Sequence, residues 1–186
     1  MQRRAIIGGA GFAVLAAIVL IVNRGDDKTP VAAGTTTTSV AATTTTAAAQ
    51  SVAGKPCVAR SQPLPDTAPE VDVEVGPPPT ALVKKDLTVG TGAPVPEGAT
   101  VTVNYIGVSC STGAIFDTSY GKQPASFPLA NVIPGWQQGI PGMNVGGKRL
   151  LAIPPDLAYG AQGRPGIAPG ETLWFVVEVL DAKPPA

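Results

Sequence analysis

Asn131-Val132-Ile133-Pro134-Gly135-Trp136 is the stretch on which the fold turns. It holds a branched apolar pair, a Pro-Gly break and a large aromatic, and Gln137 and Gln138 follow directly. Proline opens a helix well at its first position, because the N–H it lacks would be unpaired there in any case. The spacing predicts a short helix from Pro134, closed after about two turns by Ile140, Pro141 and Gly142. Trp136 then falls in the first turn, aimed by both the helix and the preceding loop. Read alone, such a ring is either a core plug or the floor of a pocket.

Around this helix the pattern is period-two. Leu82 to Val89 reads as a strand ended by Gly90, Thr91 and Gly92, and Thr100 to Val108 is a clearer one with Val101, Val103 and Tyr105 on one face. Ser111, Thr112 and Gly113 turn the chain, and Ala114 to Asp117 begins the return. Phe127 to Leu129 is a short apolar piece. After the helix come Lys148 to Ile153, stopped by Pro154 and Pro155, and Thr172 to Ala182, where Leu173, Phe175, Val177 and Val179 share a face. Antiparallel strands with one short helix make an α+β domain, its sheet folded over that helix.

The amino-terminal third differs. Ala5 to Val22 is an uncharged apolar run behind Arg3 and Arg4, long enough to cross a bilayer at about 1.5 Å per helical residue. No small-residue cleavage pattern follows it directly, so an uncleaved signal anchor is expected, with secretion after cleavage as the alternative. Arg3 and Arg4 favour their end inside, placing the rest of a single-pass chain on the extracytoplasmic side of the cell membrane. From Thr29 to Lys55 the chain is rich in Thr and Ala and lacks the large apolar groups that offset the entropy of ordering. Pro56 to Thr80 is Pro-rich and irregular, although the alternation Val71, Val73, Val75 could add an edge strand before Pro77, Pro78 and Pro79. The organisation expected is an anchor with short flanks at 1–28, a disordered linker at 29–55, an irregular arm at 56–80 and the globular domain at 81–186.

Composition removes several chemistries. The chain has 13 basic and 13 acidic residues and no histidine. Balanced charge gives no electrostatic footprint for nucleic acid, and the missing histidine excludes Ser-His-Asp sites and histidine-bound zinc. Cys57 and Cys110 form no Cys-x-x-Cys unit and cannot build a four-ligand metal site. In an exported chain a bridge between them would pin the arm to the domain, a pairing that the sequence leaves open.

The blocks Val101-Thr-Val-Asn-Tyr105-Ile-Gly107, Gly113-Ala-Ile-Phe116-Asp117-Thr-Ser119, Val132-Ile-Pro-Gly-Trp136, Gly142-Met-Asn-Val-Gly-Gly147 and Pro154-Pro-Asp-Leu-Ala-Tyr159-Gly160, with Ile167-Ala-Pro169, resemble the FK506-binding-protein class of peptidyl-prolyl isomerases, in a membrane-anchored bacterial form. The resemblance runs in order from about Leu82 to Ala182. It implies a five-stranded antiparallel sheet wrapped around the short helix, an apolar pocket between them, and no cofactor or metal. It implies partners too: proline-containing unfolded or exported polypeptides, and macrolides of the FK506 and rapamycin type.

Prolyl isomerisation rotates an amide over a barrier of about 18 to 20 kcal/mol and breaks no bond. A catalyst need only hold the twisted amide better than the planar one, and a thousandfold gain takes about 4 kcal/mol of such preference. By resemblance, Tyr105, Phe116, Phe127, Trp136 and Phe175 wall and floor the proline site, with Val132 and Ile133 beside it. Asp117 lines the pocket and orients the amide. The Tyr159 hydroxyl and the Ile133 N–H hydrogen-bond substrate carbonyls, and Ile167 caps the pocket. Asp117, Tyr159, Trp136 and Phe116 are thus the expected catalytic set. Arg164 stands where many relatives carry histidine, and Ala125 where some carry an aromatic, which leaves substrate preference open. The competing reading is a chaperone or receptor module that holds proline segments with little turnover.

Overall fold

The computed structural model of the chain describes residues 50–185. The apolar run at Ala5 to Val22 and most of the linker lie outside the described residues. Among the described residues no helix is long and apolar enough to cross a membrane.

The strands are β1 (Val83–Thr88), β2 (Thr100–Ser109), β3 (Ile115–Thr118), β4 (Ala125–Pro128), β5 (Lys148–Ile153) and β6 (Leu173–Lys183). They form one antiparallel sheet in the order β1-β5-β6-β2-β3, with β4 also paired to β2. The expected sheet of five strands therefore has six. The reason lies in β2, whose partner along one edge comes in two pieces: Ile106 to Val108 pair with β3, and Thr100 to Val103 pair with β4. Its other edge pairs with β6 along its whole length.

The helix α1 spans Pro134–Gly139, with Ile133 as N-cap and proline in its first turn. It stops where expected, the Ile140 N–H bonding back to the Trp136 carbonyl. It lies against β5, its Gly135 and Gly139 facing Ile153 and Leu151.

Strand alternation sorts the apolar side chains into two layers. On one face Val101, Val103, Leu151, Ile153, Leu173, Phe175, Val177 and Val179 pack with Trp136, Leu129 and Ile140. On the other, Ile106, Val108, Leu150, Ala152, Trp174 and Val176 pack under Cys57, Val71 and Tyr120. Sheets of alternating apolar and polar residues leave one face wet. Here β2, β5 and β6 carry apolar residues on both faces, and the arm covers the second.

The arm corrects two expectations. Val71, Val73 and Val75 make no strand: Val71 is buried, while Val75 is 70% exposed. The arm's β pairing is the single bridge of Cys57 with Gly76, because its prolines supply no N–H for a ladder and its apolar side chains meet the sheet face instead of an edge. The linker boundary at residue 55 also falls too late. The Val52 N–H donates to the Pro169 carbonyl at 2.8 Å, and Ala53 lies against Gly170, so ordered packing already includes Val52 and Ala53. A disulfide joins Cys57 to Cys110 at the end of β2. The bridge closes a separation of 53 residues, and the indole N–H of Trp174 points at Cys57 Sγ at 3.4 Å.

Candidate active site

The site opens where α1, β2, β3, β6 and the loop after β5 converge. Tyr105, Phe116, Asp117, Phe127, Val132, Ile133, Trp136, Tyr159 and Phe175 line a single cavity of about 570 Å³. All were expected there from the sequence. The cavity also takes Asn131, Ala158 and Arg164 into its lining.

Trp136 sits at the floor, 5% exposed, and three rings meet it edge-on. Its centroid is 5.4 Å from Tyr105, 5.8 Å from Phe127 and 5.3 Å from Phe175, with interplanar angles of 80°, 81° and 79°. Phe116 stands edge-on to Phe175 at 5.4 Å. Such T-shaped pairs add about 0.5 to 1.5 kcal/mol each beyond burial and fix ring orientation. The floor is therefore rigid before any ligand arrives.

Gly107 explains how two of these rings fit. Its place on β2 faces the cavity side, between Tyr105 and the strand end, and a Cβ there would stand 2.5 Å from Phe116 Cζ and 2.7 Å from Phe175 Cε1. The missing side chain is the space in which these two rings meet.

Asp117, on β3, is half-buried and held by two donors. The Tyr105 hydroxyl donates to Oδ2 at 2.9 Å, and the Thr118 N–H donates to Oδ1 at 2.9 Å. Burial and then the hydrogen bond to Asp117 push the Tyr105 phenol well above its usual value. The phenol is therefore a proton donor throughout the neutral range, and Asp117 is an oriented carboxylate with lone pairs left toward the cavity. The Ile133 carbonyl accepts from the N–H groups of Trp136 and Gln137. The Ile133 N–H has no partner among the described residues.

Tyr159 lies in the loop between β5 and β6, one residue beyond Ala158, the C-cap of a 3-10 turn at Pro155–Leu157. The guanidinium of Arg164 stands over its ring, 4.7 Å from the centroid. Ile167 departs from expectation, since it does not line the cavity. Its backbone pairs with Arg164 in both directions, at 2.9 and 2.8 Å, and its side chain turns into the first core layer, 4% exposed. Sequence reasoning missed Asn131 and Ala158, which carry no chemical signal of their own.

A family model described as FKBP-type peptidyl-prolyl cis-trans isomerase matches residues 92–180. A probable FK506-binding protein of Corynebacterium glutamicum is 46% identical over 115 residues, which cover 61% of this chain and 98% of that protein. The chain belongs to the FKBP-type peptidyl-prolyl cis-trans isomerases. An FK506-binding protein of Streptomyces anulatus is 50% identical over 117 residues, 60% of this chain and 94% of that protein. Among solved structures, FkpA from Escherichia coli aligns with a TM-score of 0.54 at 48% identity, covering 57% of this chain and 50% of that one. These matches account for the sheet, the helix and the cavity of this FKBP-type isomerase, while the amino-terminal part of the chain falls outside the family model.

Proposed function

We propose that the cavity turns X-Pro bonds of exported polypeptides by seating the proline ring on Trp136 and holding the amide in its twisted form. The observation that carries this reading is the edge-on set of rings around Trp136, next to the Asp117 carboxylate and the Tyr159 hydroxyl in one cavity. An apolar floor takes the ring and leaves the amide at the polar wall. Twisting removes amide resonance, leaving a carbonyl more like a ketone and a nitrogen more like an amine. The Ile133 N–H takes the carbonyl after the ring, which together with the seated ring fixes the proline side of the bond, and the Tyr159 hydroxyl takes the carbonyl of the X residue, the side that turns. Asp117, itself oriented by Tyr105 and Thr118, sets the field that the turning carbonyl meets. Fixed dipoles of this kind act without reorganising at the moment of reaction.

FK506-type macrolides enter the same cavity and compete with peptide. The apolar run at Ala5 to Val22 serves as the membrane anchor, with the catalytic domain on the extracytoplasmic side. The Cys57–Cys110 disulfide supports that placement, since such bridges persist in oxidising compartments. The reading predicts that the protein accelerates cis/trans exchange of an Ala-Leu-Pro-Phe peptide, and that Asp117→Val or Trp136→Ala lowers kcat/KM by roughly tenfold or more, about 1.4 kcal/mol per decade. A folded protein that binds the peptide without accelerating exchange would instead mark a holding module.

A further inference from the structure

Among the described residues Arg164 is the only cationic side chain lining the cavity, and no carboxylate pairs with it. It is also unusually well placed for an exposed cation. Arg164 opens the turn Arg164-Pro165-Gly166-Ile167, which is closed by backbone bonds in both directions between its end residues. Pro165 presets the first corner, and Gly166 takes the φ of 85° that the second requires. The side chain then lies over the Tyr159 ring, which holds the guanidinium where it lines the cavity. A guanidinium stacked in this way retains unused N–H donors suited to a carboxylate. Its charge also reaches across the mouth, opposing the influences that raise the Tyr105 phenol.

We propose that Arg164 makes this enzyme favour an acidic over a basic residue before the proline. The inference rests on the mechanism above, in which the Tyr159 hydroxyl takes the carbonyl of the X residue. That carbonyl and the X side chain leave the same Cα, so the side chain emerges next to Tyr159 and within the reach of Arg164. Glutamate at X gains a partner there, and lysine meets a like charge. The opposing charge in the cavity is Asp117, whose two oxygens already accept hydrogen bonds from Tyr105 and Thr118. An exposed pair of this kind changes kcat/KM by about two- to fivefold, and the effect shrinks as salt screens it.

The test measures exchange by NMR on the full chain in mild detergent, without a coupled protease whose own specificity would interfere. N-acetyl peptides Ala-Glu-Pro-Phe, Ala-Leu-Pro-Phe and Ala-Lys-Pro-Phe serve as substrates at low and high salt. At low salt the Glu peptide should be turned over faster than the Lys peptide, and that gap should narrow at high salt. Arg164→Gln should lower the Glu/Leu ratio by about two- to fivefold, Arg164→Lys should keep part of the wild-type ratio, and Arg164→Glu should lower it further. A Glu/Leu ratio that is the same in wild type and Arg164→Gln overturns the proposal while leaving the isomerase mechanism standing. No acceleration of any peptide by the wild-type chain defeats the mechanism itself.

Discussion

Replacing Gly107 by alanine gives a test in which two well-known effects oppose each other. Gly107 lies in β2 and its φ is not in the left-handed region, so alanine fits the backbone. On conformational entropy alone the change stabilises a strand by about 0.5 to 1 kcal/mol. Against that stand the rings of Phe116 and Phe175, 2.5 and 2.7 Å from the new methyl. Neither ring can retreat freely, because Phe175 is edge-on to Trp136 at 5.3 Å and to Phe116 at 5.4 Å. Overpacking of a filled core costs about 1 to 3 kcal/mol. The steric effect wins, leaving a net loss of about 0.5 to 2 kcal/mol. Urea denaturation followed by tryptophan fluorescence should show a midpoint lower by roughly 0.3 to 1 M, for an m of about 2 kcal/mol per M. Because the displaced rings wall the cavity, kcat/KM should fall by about fivefold or more, close to 1 kcal/mol. A Gly107→Ala protein that is more stable than wild type and equally active would refute the close-contact reasoning.

Other outcomes follow from the arm and from the buried phenols. Replacing both Cys57 and Cys110 by serine should destabilise the domain by about 2 to 4 kcal/mol, as expected for opening a loop of this length, and reductant should reproduce the loss in wild type but not in the variant. Burial, then the Asp117 bond for Tyr105 and the Glu178 charge for Tyr120, hold both phenols above their ordinary value. Their neutral forms therefore contribute stability that is fully present below about pH 10 and lost as pH rises through the folded-state values. In an ultraviolet titration both should withhold phenolate absorbance at about pH 11 until the fold opens, and Tyr105→Phe and Tyr120→Phe assign the late signals. Early ionisation of both rings would contradict their placement.

The helix and the long strands were legible because their signals are local. Pro134 and Gly142 bracket α1, and alternation marks β2, β5 and β6 residue by residue. The cavity was legible through the family blocks, since Tyr105, Phe116, Trp136 and Phe175 come from separate elements that no local period unites. The arm was not. Its prolines carry no period, and the alternation at Val71, Val73 and Val75 imitates a strand, although Val71 docks on a sheet face. β4 escaped because Ala125 and Pro128 dilute the apolar signal around Phe127. Ile167 was expected as a cap through the family resemblance alone, yet its backbone pairs with Arg164 in both directions and its side chain packs into the core.

The contact of Val52 with Pro169 has a mechanical side. Pro169 belongs to the same loop that carries Tyr159 and Arg164, and the Ser51 hydroxyl donates to its carbonyl as well. A pull on the chain from its amino-terminal side is thus delivered first to the base of that loop through hydrogen bonds, which yield at small force. The next stop is covalent, at the Cys57–Cys110 bridge, so a stronger pull passes through the two sulfurs to the end of β2 and bypasses the arm residues between them. Such an attachment works as a two-stage coupling: a weak first catch at the rim of the cavity, then a strong one behind the sheet.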